Sequence, residues 1–333
     1  MAYINFDPKD YFNTKLYTGN GSTQSITGVG FQPDLVWNKR RTGANEHALT
    51  DVVRGTTKTL FSSLTNAETT QSGGLTSFDS DGYSVGSSGE FNDNLESYVG
   101  WNWLAGGSGV SNTDGSTTST VSANQTSGFS VVKWVGVDTT VGHGLNAVPE
   151  MIIVKNTDDA TNWFVYHKTL GNNKYVNLNL TSAETTSSNQ WNSTSPTSSV
   201  FTVGSDFNNA NYIAYVFAPK KGFSKFGSYI GNGSTDGTFV YTGFKPAFVL
   251  FKPSSATENW QIHDNKRPSY NPCDNIAPNN SSTEATSNDF VDLVSNGFKL
   301  RSATYSASGV TYIYMAFAEN PLVNSLGNPA TAR

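Results

Sequence analysis

Three segments of this chain open with proline and reach lysine six residues later: "FQPDLVWNK" (Pro33, Lys39), "AVPEMIIVK" (Pro149, Lys155) and "FKPAFVLFK" (Pro246, Lys252). The residues between are mostly bulky and β-favouring, so each reads as a short, largely buried strand whose opening proline has no N–H to lose from the ladder. The register then continues without a gap. Fourteen residues after the proline stand His47, Trp163 and Trp260, and eighteen after it stand Asp51, His167 and Asp264. Asp51 and Asp264 are followed three residues later by Arg54 and Arg267, and acidic residues return at Glu68, Glu184 and Glu284. Each unit closes on one kind of strand, "YVGWNWLA" from Tyr98, "YIAYVFAP" from Tyr212 and "YIYMAFAE" from Tyr312. A chain that repeats one pattern three times has to fold as three versions of one unit.

Period two along the closing strands puts Val99, Trp101 and Trp103 on one face, matched by Ile213, Tyr215 and Phe217 and by Ile313, Met315 and Phe317. The opposite face carries Gly100, Ala214 and Ala316, a surface that another sheet can approach closely. The hexapeptides "YTGNGS" (Tyr17–Ser22) and "YIGNGS" (Tyr229–Ser234) read as Asn-Gly hairpin turns, absent from the middle copy. With 20 Phe, 15 Tyr and 7 Trp among abundant Ser, Thr, Asn and Gly, the composition suits strands and turns. The expected fold is all-β: three tandem antiparallel β-sandwich, jelly-roll-like units. Expected boundaries are an N-terminal arm 1–10, repeat 1 at 11–105, a Gly/Ser/Thr-rich linker 106–128, repeat 2 at 129–222, repeat 3 at 223–321 and a tail 322–333. The long 106–128 linker implies that repeat 1 is joined more loosely than the other two.

A net charge of −5 without a basic stripe argues against nucleic acid. No window approaches the roughly 20 apolar residues of a membrane helix. One cysteine, Cys273, excludes an internal disulfide and, with no secretory leader in "MAYINFDPKD", suggests folding in a reducing cytoplasm.

The column Asp51/His167/Asp264, with Glu68, Glu184 and Glu284, invites a catalytic or metal reading. The middle copy opposes it, since histidine does not replace aspartate as a general acid or base in the same geometry. Pro33, Pro149, Pro246 and the acidic and histidine columns are therefore expected to be structural anchors of the repeat. His47, His143, His167 and His263 show no metal-ligand spacing, and no nucleophile elbow or phosphate loop is present. No cofactor and no metal are expected. Trp191, Tyr270 and Tyr305, at loop-like positions, are candidates for stacking on sugars.

Taken together, "YTGNGSTQSITGVGFQPDLVWNK", "DVVRG", "FDSDGYSVGS", "YVGWNWLAGG", "VGHGL" and "YIYMAFAENP" resemble the tandem units of virion structural proteins of marine tailed phages, cyanophages included. The resemblance implies a non-enzymatic virion protein assembled in the host bacterial cytoplasm. A tail fibre or tail appendage is the first expectation, a capsid-surface decoration or a glycan-binding host-recognition module the alternatives, and a polysaccharide depolymerase the last. It further implies contacts with other virion proteins, a homo-oligomer with a trimer favoured, and a host surface glycan as a further partner. The arm residues Tyr3, Ile4 and Phe6 are expected to hold the chain on the virion by strand addition.

Overall fold

The computed structural model describes residues 6–268, 270–286 and 290–321. A 3-10 turn at Pro8–Asp10 leads into β1 (Phe12–Thr18), β2 (Gln24–Thr27), β3 (Leu35–Arg40), β4 (Ala48–Asp51), β5 (Lys58–Phe61), β6 (Thr69–Thr70), β7 (Leu75–Asp79), β8 (Gly82–Val85), the short α1 (Gly89–Asn92) and β9 (Ser97–Trp103). Then follow β10 (Val110–Asn112), β11 (Ser119–Asn124), β12 (Phe129–Val135), β13 (Thr139–Gly142), β14 (Met151–Asn156), β15 (Phe164–His167), β16 (Lys174–Asn177), β17 (Thr185–Thr186), β18 (Val200–Val203) and β19 (Asn211–Phe217). The last stretch holds β20 (Ser224–Ile230), β21 (Phe239–Tyr241), β22 (Phe244–Pro253), β23 (Gln261–Asp264), β24 (Val291–Val294), β25 (Gly297–Leu300) and β26 (Thr311–Pro321). The fold is all-β, and the strands pair antiparallel in three larger and three smaller sheets.

The same pairing returns three times. In the larger sheets the closing strand lies between the opening strand and the proline–lysine strand: β1-β9-β3-β4, β12-β19-β14-β15 and β20-β26-β22-β23. The smaller sheets pair β2 with β8, β13 with β18 and β21 with β25. Even the registers agree. Tyr17 faces Tyr98, Trp134 faces Tyr212 and Tyr229 faces Tyr312 across the ladder. In each pair the rings stack, at 5.1, 5.2 and 4.6 Å between centroids.

Each larger sheet buries both faces. The bulky faces of all three meet in one core that includes Trp37, Trp101 and Trp103, Ile153, Tyr215 and Phe217, and Leu250, Met315 and Phe317. At its centre the equivalent residues Trp103, Phe217 and Phe317 touch one another, with centroids 6.5 Å (Trp103–Phe217), 5.8 Å (Trp103–Phe317) and 5.9 Å (Phe217–Phe317) apart. The other face of each larger sheet packs against its own smaller sheet. Three separate cores result, around Tyr83 and Val85, around Phe201 and Val203, and around Phe298 and Leu300. Small residues allow the close approach: a Cβ at Gly100 would collide with the Tyr83 hydroxyl of the overlying sheet.

Several expectations need correction. The Asn-Gly motifs are not hairpin turns, because β1 and β2, like β20 and β21, belong to different sheets. Each motif is instead a corner between sheets: Asn20 Oδ1 accepts from Ser22 N–H (2.8 Å) and Asn232 Oδ1 from Ser234 N–H (3.1 Å). Gly21 (φ 70°) and Gly233 (φ 75°) take the left-handed conformation that the corner requires. Residues 106–128, expected as a linker, contain β10 and β11, which add to the edge of the second larger sheet; Val121 supplies the apolar contact there. Repeat 1 is not loosely joined, because its Trp101 and Trp103 lie in the common core. Pro33 and Pro149 precede their strands as expected, but Pro246 lies inside β22, at a register irregularity that accommodates its missing N–H. Of the arm, Tyr3 and Ile4 lie outside the described residues, as does the 322–333 tail. Phe6 packs on Tyr11 (4.8 Å) and on Phe223 of repeat 3 (5.4 Å).

A common core predicts one cooperative transition. Phe248 contacts Phe12, Trp101, Trp103 and Phe317. Phe248→Ala should cost about 3–5 kcal/mol and shift the whole urea transition, followed by tryptophan fluorescence and far-UV circular dichroism. Loss of only part of the amplitude would mean that the repeats unfold independently.

Candidate functional site

The residues that carry chemistry collect where one repeat meets the next. Asp51, at the end of β4, accepts from the N–H groups of Val53 (3.1 Å) and Arg54 (2.9 Å) and from Arg54 Nε (2.5 Å). Arg54 reaches on to Glu68 (3.4 Å) and to the carbonyls of Leu49 and Lys58. The hydroxyl of Tyr215, from repeat 2, donates to Asp51 Oδ2 (3.0 Å). Asp264 repeats the device: it is held by Arg267 (2.5 Å), which also binds Glu284 (2.8 Å), while Trp101 Nε1 of repeat 1 donates to Asp264 Oδ2 (2.9 Å). Tyr215 and Trp101 occupy matching places on their closing strands.

The middle copy shows why its column changed. The third resident of the donor position is Met315, which has no proton to give, and the arginine position holds Leu170. An aspartate at 167 would be a buried carboxylate without arginine or cross-repeat donor, a costly arrangement. His167 instead accepts from Thr169 N–H at Nδ1 (3.2 Å), which leaves its Nε2–H to donate to the Tyr314 carbonyl of repeat 3 (3.2 Å). Glu184 pairs with Lys174 (2.5 Å).

These contacts run in a cycle. Repeat 2 donates to repeat 1 through Tyr215, repeat 1 to repeat 3 through Trp101, and His167 of repeat 2 meets Tyr314 of repeat 3. The main chain closes the same cycle: the N–H groups of Glu68, Glu184 and Glu284 donate to the carbonyls of Thr157 (2.9 Å), Ser254 (2.7 Å) and Arg41 (3.1 Å). The fourteenth-position column joins in. Trp163 Nε1 donates to the Phe61 carbonyl and Trp260 Nε1 to the Asn177 carbonyl, both at 2.9 Å. His47 faces the Ala277 backbone in the equivalent place, without a hydrogen bond of full geometry.

The register lysines were missed as contributors, although a lysine kept at the end of three apolar strands was a signal. Lys39, Lys155 and Lys252 are fully buried, and each Nζ donates to the carbonyls one and four residues ahead. Lys39 also reaches Ser281 and Lys252 reaches Thr181, in neighbouring repeats. Burial lowers all three amines to about 8.

The electrostatics of these groups follow from burial and from their partners. Burial alone would raise the Asp264 carboxyl, but Arg267 and the Trp101 donor hold it below its ordinary value. Burial lowers all four histidines, His167 to about 4 and His263 to about 3. It pushes the Cys273 thiol up to about 12, which keeps the sulfur protonated and unreactive. Asp51, Asp264 and Arg267 are closed to solvent, so no substrate reaches them for proton transfer. Among the described residues no group of three His, Cys, Asp or Glu side chains is placed to hold a metal. Asp81 accepts from the Gly28 (2.9 Å) and Gly30 (2.7 Å) N–H groups as a turn anchor.

Of the aromatics expected at the surface, Trp191 and Tyr305 are buried and Tyr270 is exposed. Phe239 and Tyr241 are exposed on one face of β21, with Lys225 Nζ 5.2 Å from the Tyr241 ring. A depression of about 530 Å³ beside the first Asn-Gly corner is lined by Ser22, Thr23, Ser72, Gly73, Thr76 and Ser87, none ionisable at neutral pH. No helix among the described residues is long and apolar enough to cross a membrane.

The histidine column gives two predictions. His167→Asp should lower stability by about 3 kcal/mol or more, and adding Leu170→Arg and Met315→Tyr should restore much of the loss in urea melts. A destabilisation that the added pair leaves untouched would reject the pairing argument. Secondly, His167 stays neutral in the fold while the unfolded chain binds a proton below about 6.5. Stability therefore falls as pH drops from 6.5 towards the folded value near 4. Between pH 7 and pH 5 this residue alone should remove about 2 kcal/mol, and the urea midpoint of His167→Gln should depend less steeply on pH.

The chain belongs to the family described as Domain of unknown function (DUF7483), whose model matches residues 7–321. No curated protein matches the chain.

Proposed function

We propose that this member of the DUF7483 family is a non-enzymatic structural protein of a tailed-phage particle, displayed on the particle surface as part of a tail fibre or tail appendage. One observation carries the non-enzymatic part: the column Asp51, His167 and Asp264 is spent in closed contacts between repeats, out of reach of a substrate. The virion part rests on the sequence resemblance. In this reading each repeat is a jelly-roll-like β-sandwich, its larger sheet turned to the common core, and the three form a rigid block that presents loops. Rigid display needs no moving lid and no metal, and it gains from a core shared by all three units.

The exposed pair Phe239 and Tyr241, with Lys225 beside it, favours a second role for the same particle, the capture of a host surface glycan by ring stacking. The proposal is tested on phage particles whose genome encodes the chain. Mass spectrometry should find the protein in purified particles, and electron cryomicroscopy should place it on their exterior. Its absence from particles overturns the virion reading. Release of new reducing ends from host polysaccharide by the purified protein overturns the non-enzymatic one.

A further inference from the structure

Asparagine precedes glycine three times in this chain, at Asn20, Asn232 and Asn296. Such a pair can react with itself, because glycine has no side chain to keep its backbone nitrogen away from the asparagine amide carbon. How freely the amide turns decides whether it does. Asn20 and Asn232, at the corners between sheets, are exposed but held. Asn20 Oδ1 accepts from Ser22 N–H (2.8 Å) and from Asn92 Nδ2 (3.1 Å), and Gly21 N–H donates to the Asn92 carbonyl (2.9 Å). Asn232 Oδ1 accepts from Ser234 N–H (3.1 Å) and from the Ser306 hydroxyl (2.9 Å). Its Nδ2 donates to the Asp236 carbonyl (3.0 Å), and Gly233 N–H donates to the Ser306 carbonyl (2.5 Å).

Asn296 is placed differently. It is half-buried and lies with Ser295 in the turn from β24 to β25. Its main-chain carbonyl accepts from Thr242 N–H (3.0 Å) and Gly243 N–H (3.2 Å), but its side chain makes no hydrogen bond among the described residues. Glycine is compulsory after it, since a Cβ at 297 would lie 2.0 Å from the Val240 carbonyl oxygen. Repeat 1 has the same requirement at Gly82, where a Cβ would lie 1.9 Å from the Ile26 carbonyl oxygen. There the preceding residue is Asp81, and both its carboxylate oxygens are bonded, to Gly28 and Gly30 N–H.

We propose that Asn296 is a site of spontaneous deamidation in the folded protein, and that the corners at Asn20 and Asn232 are closed to the same reaction. The Gly297 nitrogen loses its proton and bonds to Asn296 Cγ. The Cγ–Nδ2 bond breaks, and Nδ2 takes up a proton and leaves as ammonia. Water then opens the cyclic imide to aspartate or isoaspartate. The aspartate product gives this turn the side chain that repeat 1 carries at Asp81. The isoaspartate product routes the main chain through Cβ, which lengthens the turn and displaces β25, whose Phe298 and Leu300 fill the core of repeat 3. At the two corners the amide and the glycine nitrogen are both engaged, so reaction there waits for a local opening.

Peptide mass spectrometry on the full chain tests this. The protein is held in mildly alkaline buffer made with water labelled with heavy oxygen, once folded and once unfolded in guanidinium chloride. In the folded protein, label should enter at Asn296 about tenfold or more faster than at Asn20 or Asn232. In the unfolded chain the three rates should converge, which shows that the fold and not the local sequence sets the difference. Equal rates at the three sites in the folded protein overturn the proposal, as does label at Asn20 or Asn232 ahead of Asn296. So does an Asn296 rate that rises on unfolding as steeply as the other two, because the folded turn would then protect it as well.

Discussion

Mutual contact of Trp103, Phe217 and Phe317 at the centre of the molecule is the constraint from which the rest follows. Each ring belongs to the closing strand of a different repeat, and a strand with a bulky face towards that point has its opposite face turned outwards. The outward face has to be covered as well, because it carries Tyr98, Tyr212 and Tyr312. The smaller sheets do this, and they come close only over Gly100, Ala214 and Ala316. The three rings thus lie on the inward-facing set of their strands, opposite the set that the smaller sheets cover.

The polar residues follow from the same geometry. Where the three sheets converge, backbone groups are buried, and each N–H and carbonyl there needs a partner. The buried lysines answer loop carbonyls, and Asp51 and Asp264 answer an arginine three residues on in their own repeat and a tyrosine or tryptophan donor from the adjoining one. A buried ion pair adds little net stability over a well-packed apolar pair, but it penalises a wrong partner heavily. The ion pairs lie within one repeat, and it is the tyrosine and tryptophan donors that reach them from the adjoining repeat. Where the donor position holds Met315, the column holds a neutral imidazole in place of an ion pair.

Much of the fold was legible. The strands after the prolines follow from short continuous apolar runs, the bulky and small faces of the closing strands from period-two patterning, and the all-β class from both together with the composition. What the pattern could not show was where the bulky face pointed. Trp101 and Trp103 read as core, and nothing in their spacing says that the core is shared by three repeats. The Asn-Gly corners misled because a left-handed glycine after an Asx turn serves a sheet change as well as a hairpin. The 106–128 segment misled because its glycines and serines hide two strands, one with Val121 as its buried contact. The contacts between repeats were marked only by covariation inside the chain, aspartate with arginine and an aromatic donor, histidine with leucine and methionine, which becomes readable once the strand order is known.

Because the three seams are built from separate stretches of one polypeptide, they are free to differ. In an assembly of identical subunits any substitution at a seam is made three times over, and a compromise that suits one contact is imposed on all. Here the seam at His167 has no ion pair in that column while those at Asp51 and Asp264 have one. One polypeptide thus holds three unlike seams where identical subunits would hold three alike.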